Sequence, residues 1–125
     1  MSTPDAAQIL LVEDDDGLRN AYRIVLGARG FDVGTAATGE EALERLDGRA
    51  GFPAAIVADL GLPGLSGPEL VRRLRAAAPD SALLVLTGTR DETVRQQCRR
   101  AGATRYLVKP VTGGDLEAAL REACG

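Results

Sequence analysis

Four short apolar runs each end in residues that can do chemistry. Glu13-Asp14-Asp15-Asp16 follow Ile9 to Val12, and Asp59 follows Ala54 to Ala58. Thr87-Gly88 follow Ala82 to Leu86, and Lys109-Pro110 follow Tyr106 to Val108. Carboxylates brought together repel one another and resist ionising, and a divalent cation relieves that. Oxygen donors without His or Cys point to Mg²⁺ or a similar hard ion such as Mn²⁺. Magnesium keeps several waters and takes one or two carboxylates plus a phosphate oxygen, which suits a site meant to receive a phosphoryl group. Lys109 would then put a compact positive charge on the phosphoryl oxygens away from the metal, and Thr87 would add a hydroxyl donor. Asp59 stands alone at its strand end, ahead of a loop with Gly61, Pro63, Gly64 and Gly67, and is the carboxylate best placed to act as nucleophile.

Composition removes several other chemistries. The chain has 125 residues and no histidine, so it supplies no Ser-His-Asp or Cys-His pair, no His-ligated metal and no phosphohistidine. Its two cysteines, Cys98 and Cys124, are too few for a Cys-rich zinc site, and their spacing suits free thiols in a reducing cytosol. The start, Met1 to Gln8, is polar and lacks a basic leader region, and no apolar run is long enough to cross a membrane. A cytoplasmic location is therefore expected. A net charge of −3 argues against direct nucleic-acid binding. Of the 15 cationic residues, 14 are arginine and one, Lys109, is lysine.

These side chains need a scaffold that brings distant strand ends together. The apolar runs, with Phe31 to Ala36 as a fifth and more mixed one, read as strands, and most are apolar throughout, as in parallel sheets covered on both faces. Between them lie helical patterns with start signals. Thr38-Gly-Glu-Glu41, Ser66-Gly-Pro-Glu69 and Thr89-Arg-Asp-Glu92 fit the capping box, while Asp15 or Asp16 caps the first helix and Thr112 the last. Gly30, Gly48 and Gly102 close helices. The expectation is a three-layer α/β fold, (βα)5, forming one domain over residues 1–125. Ligands in such sheets bind beyond the carboxyl ends of the strands, where strand order reverses. In the order 2-1-3-4-5, strands one and three are neighbours, and the acidic cluster Glu13 to Asp16 would come up against Asp59.

The stretches Val12-Glu13-Asp14-Asp15, Asp59-x-Gly61-x-Pro63-x-x-Ser66-Gly67, Leu86-Thr87-Gly88 and Tyr106-Leu-Val-Lys109-Pro110 resemble the receiver domain of bacterial two-component response regulators. The resemblance runs along essentially the whole chain, and its strength lies in all the pieces occurring in order at strand ends. It implies a CheY-like, flavodoxin-like fold and a phosphoaspartate formed with Mg²⁺, the donor being a phosphohistidine on a sensor histidine kinase or phosphotransfer protein. Carried over residue by residue, it makes Asp59 the phosphoacceptor, Glu13 and Asp14 the acidic pair with Asp14 the closer metal ligand, and the Gly61 carbonyl a further ligand. Thr87 and Lys109 would contact the phosphoryl oxygens. Tyr106 matches the aromatic that turns inward when Thr87 moves toward the phosphate, so a downstream output domain or protein would read the face of helix four, strand five and helix five. The resemblance also implies docking of the donor near helix one. Thr104-Arg105 departs from the acidic pair of the winged-helix subfamily, which removes the usual support for its activated dimer.

Plainer readings stand beside these. Asp15 and Asp16 read as helix caps, and an EF-hand is excluded because Val12 and Arg23 would fall at its first and twelfth positions. The glycines form neither G-x-G-x-x-G nor a P-loop. Cys98 reads as packing and Cys124 as a terminal thiol. Arg72, Arg73, Arg75, Arg95, Arg99 and Arg100 read as solvated helix faces, with Arg95 and Arg99 alternatively on a partner surface. Leu18, Ala21, Tyr22, Ile24, Val25 and Leu26 give helix one an apolar stripe wider than one sheet face needs, either wedged between neighbours or part of a docking patch. The alternatives to a phosphoacceptor are a pseudo-receiver, disfavoured by the intact Asp14, Asp59, Thr87 and Lys109, and a small aspartyl phosphatase. The latter needs a second Asp, which Asp59-Leu60-Gly61 lacks.

Overall fold

A computed structural model describes residues 6–49 and 52–124; the polar start Met1 to Asp5 lies outside them. Strands and helices alternate as β1 Gln8–Val12, α1 Asp16–Ala28, β2 Asp32–Ala36, α2 Gly39–Leu46, β3 Ala55–Asp59, α3 Gly67–Ala77, β4 Ala82–Thr87, α4 Glu92–Ala101, β5 Arg105–Val108 and α5 Gly113–Cys124. The five strands form one parallel sheet in the order β2-β1-β3-β4-β5, as expected. Asp59 and Thr87 are the last residues of their strands rather than the first of the following loops.

The continuous apolar runs are explained by burial on both faces. Along β1, Leu10 and Val12 point to one core with Ala42, Leu46, Leu70, Leu74 and Cys98, while Ile9 and Leu11 point to another with Tyr22, Leu26, Leu116 and Leu120. Helices α2, α3 and α4 thus cover one face and α1 and α5 the other. Each fully buried aliphatic side chain contributes about 1.5–3 kcal/mol through removal from water. The edge strand β2 is the exception, with only Ala36 buried.

The caps divide into those the sequence gives correctly and two corrections. Asp15 accepts from the Leu18 amide at 2.9 Å, and Thr38 from the Glu41 amide at 3.0 Å. Thr112 accepts from Asp115 N at 3.0 Å, while the Asp115 carboxylate accepts from Thr112 N at 3.2 Å. Ser66 stands at the N-cap of α3 but makes no side-chain capping bond, and Pro68 in the first turn removes one donor its hydroxyl would serve. Helix α4 is capped by Asp91, whose carboxylate accepts from Thr93 N at 2.8 Å, and not by Thr89. Thr89 instead accepts from Asp91 N at 3.1 Å, so the box shortens into a local turn.

Arg75 is the third correction. It is half-buried, and its guanidinium donates to the carbonyls of Gly102 at 2.8 Å, Ser81 at 2.6 Å, and Ala78 and Pro79 at 3.1 Å. It ties the end of α3 and the turn into β4 to the end of α4, whereas Arg72 only meets exposed Glu69. Gly102 ends α4 at φ 119°, and a Cβ there would sit 2.6 Å from Arg75 Cγ, so chain direction and close approach both require glycine. Arg75→Ala is expected to lower the unfolding free energy by about 2–4 kcal/mol, because charge-assisted bonds to several half-buried carbonyls are lost together. Arg72→Ala should change it by less than about 0.5 kcal/mol. Urea unfolding followed by circular dichroism measures both, and equal midpoints would refute the anchoring role.

Candidate functional site

The parallel register lays the chemically able residues along one edge of the sheet. Val12 pairs with Ala58, so Glu13, just past β1, and Asp59, the last residue of β3, follow side by side. Asp59 pairs with Leu86 and Thr87 with Val108, and the Lys109 amide donates to the Thr87 carbonyl at 2.7 Å. Four strand ends far apart in sequence thereby meet.

Asp59 is buried, and both its oxygens are engaged. Oδ1 accepts from the Gly61 amide at 2.8 Å, and Oδ2 accepts from Lys109 Nζ. Glu13 is 2% exposed; its Oε2 accepts from Asp15 N at 3.2 Å, whereas Oε1 has no hydrogen-bond partner and lies 3.6 Å from Lys109 Nζ. Asp14 is exposed and completes the group, with one carboxylate oxygen from each of Glu13, Asp14 and Asp59 within 4.8 Å of the others. A buried carboxylate oxygen without a partner is costly. Three converging hard oxygen donors and that unpartnered oxygen fit a divalent cation, as the sequence reading expects.

The electrostatics agree. Burial, reinforced by the Asp59 charge, raises the Glu13 carboxyl from 4.5 to about 7, against the lowering effect of the Asp15 amide and Lys109. Burial opposes the charge on Lys109, but its hydrogen bond to Asp59 and the two carboxylate charges hold its pKa above the ordinary value. Glu13 raised in the folded state means that folding takes up a proton between about pH 4.5 and 7. That contribution is fully present below the unfolded pKa and is lost as pH rises through the folded one. The chain has no histidine to obscure this window. The urea midpoint in EDTA is therefore expected to fall between about pH 5 and 8, and Glu13→Gln should flatten the slope. A midpoint that stays level in the parent protein would contradict the crowded-carboxylate description.

Thr87 ends β4, beside β3, and Tyr106 lies on the next strand, β5. Thr87 is buried, and its hydroxyl accepts from Thr89 N at 3.1 Å. Tyr106, half-buried and paired with Val85, donates its hydroxyl to the Thr89 carbonyl at 3.1 Å, so the loop after Thr87 joins the two. Burial raises the Tyr106 phenol, with the neighbouring Thr87 hydroxyl partly offsetting it.

The structure adds two supports that the sequence left unmarked. Arg19 donates to the Glu13 carbonyl at 2.9 Å, and the Tyr22 hydroxyl donates to the Val111 carbonyl at 2.8 Å, fixing α1 to the loop that follows Lys109. No local pattern announces either contact, since both depend on how α1 lies across the sheet. On the same helix Tyr22 and Leu26 are buried, while Ile24, 55% exposed, is the one exposed large hydrophobic among the described residues. The wide apolar stripe is thus partly wedge and partly open surface. Among the described residues no helix is long and apolar enough to cross a membrane.

Comparison with known proteins gives consistent results. Residues 9–121 match the family model of the response regulator receiver domain. The transcriptional regulatory protein AfsQ1 of Streptomyces coelicolor is 40% identical over 113 residues, 90% of this chain and 49% of that protein, so the chain spans about half the length of that curated relative. The crystal structure of a CheY-like response regulator receiver domain protein from Methanospirillum hungatei JF-1 superposes with a TM-score of 0.89 at 28% identity, covering 96% of this chain and 94% of that one. The receiver domain of the sensor histidine kinase PA1611 from Pseudomonas aeruginosa PAO1, solved with a magnesium ion coordinated in its active-site cleft, gives a TM-score of 0.83 at 29% identity and covers 96% of this chain and 98% of that one.

Proposed function

The chain belongs to the response regulator receiver domain family, and on that premise we propose that it is a phosphoacceptor module, residues 1–125 forming one domain, that takes a phosphoryl group onto Asp59 from a sensor histidine kinase or phosphotransfer protein. The observation that carries this is the meeting of the Glu13, Asp14 and Asp59 carboxylates within 4.8 Å, with Lys109 held on Asp59. Proteins of this family are regulatory signalling domains of two-component systems, which pair with histidine kinases and output domains.

An Asp59 oxygen attacks phosphorus, its bond to phosphorus forms, and the bond to the donor's imidazole nitrogen breaks. Such transfer needs positioning and charge neutralisation more than covalent help. Glu13, Asp14, Asp59 and the Gly61 carbonyl would hold Mg²⁺ (or Mn²⁺), which supplies charge neutralisation at the phosphoryl oxygens. Lys109 is already within reach of Asp59 and supplies a compact positive charge, and Thr87 supplies a hydroxyl donor. The Gly61 amide orients the attacking carboxylate through Oδ1.

The phosphoryl group carries about two negative charges in place of the single one of the Asp59 carboxylate, and extends them toward Thr87. Drawing the Thr87 hydroxyl toward it would release the Thr89 amide, and the loop would shift the Tyr106 contact. The α4–β5–α5 face then changes for a downstream output domain or protein. Donor docking near α1 is supported by exposed Ile24. The module works in the cytoplasm, turns over no independent substrate, and contacts neither nucleic acid nor membrane itself.

Acetyl phosphate with Mg²⁺ is expected to add the mass of one phosphoryl group to the intact protein, and EDTA should prevent it. No gain with Mg²⁺ present would sink the proposal.

A further inference from the structure

Helix α1 grips the link that carries the only lysine of the chain. Lys109, Pro110 and Val111 lead from β5 toward α5, and Pro110 has no amide hydrogen to offer. Among the described residues, two hydrogen bonds hold the backbone of this link. On one side the Lys109 amide donates to the Thr87 carbonyl at 2.7 Å, and on the other the Tyr22 hydroxyl donates to the Val111 carbonyl at 2.8 Å. Tyr22 is 5% exposed and belongs to the core built by α1 and α5, against which Val111 also packs. Three residues further along α1, Val25 closes on the start of α5, where a Cβ added at Gly113 would lie 2.5 Å from Val25 Cγ1. Tyr22 and Val25 share one helix face, so α1 meets this segment at Val111 and again at Gly113.

We propose that Tyr22 is a positioning residue for Lys109: by holding the Val111 carbonyl it fixes the backbone from which the lysine side chain starts, and so keeps Nζ on Asp59. A lysine ammonium sits at the end of a flexible four-carbon stem. It stays on one carboxylate only if its origin is fixed, and Thr87 alone fixes one side of that origin. The Tyr22 bond is hard to replace, because a half-buried carbonyl released from its donor loses more than an exposed one would. Burial raises the Tyr22 phenol above its ordinary value, and the charges of Lys109, Glu13 and Asp59 also act on it. The hydroxyl therefore remains a donor and lies close enough to feel the acidic site. A plain core role accounts for the buried ring, but not for its one polar atom resting on the link beside Lys109.

The placement of Lys109 in the resting protein is independent of any phosphorylation. Its consequence for transfer rests on the phosphoacceptor reading. An ammonium displaced from Asp59 neutralises the transferring group less well, and a misplacement of about 1 Å can cost on the order of 100-fold in rate. One lost hydrogen bond on an otherwise packed link should displace it by less than that, so a slowing of about tenfold is expected.

The test uses nuclear magnetic resonance on the full chain with carbon-13 in its lysine, so that every lysine signal comes from Lys109. In EDTA the parent protein is expected to show inequivalent Hε protons, the mark of an immobilised ammonium arm. Tyr22→Phe removes only the hydroxyl and should collapse them toward the averaged signal of a mobile lysine. Tyr22→Met fills the site without a donor and serves in its place if phenylalanine does not fold by circular dichroism. Arg75→Ala loosens the opposite end of the sheet and should leave the lysine signals as in the parent. With acetyl phosphate and Mg²⁺, Tyr22→Phe should label about tenfold more slowly at saturating acetyl phosphate, its half-saturating concentration staying within about twofold. Parent-like lysine signals in a folded Tyr22 variant overturn the proposal, whatever the labelling rate. Equal collapse in Arg75→Ala also overturns it, because lost stability would then explain the change. Collapsed signals with an unchanged rate support the placement and overturn its role in transfer. A parent protein that takes no label would sink the phosphoacceptor reading, and the signals in EDTA would still decide the role of Tyr22.

Discussion

Asp59→Asn is expected to abolish the phosphoryl adduct, so that the intact mass stays unchanged with acetyl phosphate and Mg²⁺ where the parent protein gains one phosphoryl group. Asparagine retains a carbonyl oxygen for the Gly61 amide, so the local turn survives. It removes the carboxylate proposed as the nucleophile and one of the three carboxylates that could hold a cation. No neighbour substitutes easily, because Asp14 is exposed at the rim and Glu13 is buried at the end of the neighbouring strand. The same substitution removes a negative charge that raises Glu13, so the pH dependence of stability in EDTA should shrink along with the loss of labelling. Labelling that persists in the variant would show that another residue accepts the group.

Lys109→Arg is expected to slow phosphorylation by about 100-fold, and Lys109→Ala by at least as much, with the protein still folded. The single lysine occupies a crowded position, with Nζ on Asp59 and 3.6 Å from Glu13. A guanidinium is planar and wider, and its fork cannot sit between those two carboxylates and the transferring group as an ammonium does. Alanine leaves both carboxylates without a counter-charge, which raises the cost of ionising Glu13 further. The backbone is insulated from either change, since the Lys109 amide is held by the Thr87 carbonyl at 2.7 Å. Initial rates of labelling measured by intact mass, with Mg²⁺ saturating, read the effect. Rates within about threefold of the parent would mean that the lysine only balances charge in the resting protein.

Much of this was legible from residue order. Uniformly apolar runs marked strands covered on both faces, and the cores of α2–α4 and of α1 with α5 confirm it. Glu13, Asp59, Thr87 and Lys109 were identified by falling at strand ends, and the parallel register brings them to one edge. The errors came where two local patterns compete or where a contact is long-range. Thr89 and Asp91 both offer capping oxygens within three residues, and which one caps is settled by where the backbone turns. Arg75 looked like its neighbours Arg72 and Arg73 on a solvated helix face, yet its partners are carbonyls beyond α3 and at the end of α4.

The sequence by itself determined the alternation of strands and helices, most of the caps and the type of chemistry available at the strand ends. Those features depend on side-chain period and on neighbours three or four residues apart. Only the tertiary structure decided that Lys109 rests on Asp59, that one oxygen of Glu13 is buried without a partner and that Tyr106 reaches the Thr89 carbonyl. Each of these joins residues from different elements, and burial and distance between such residues are set by how the layers pack.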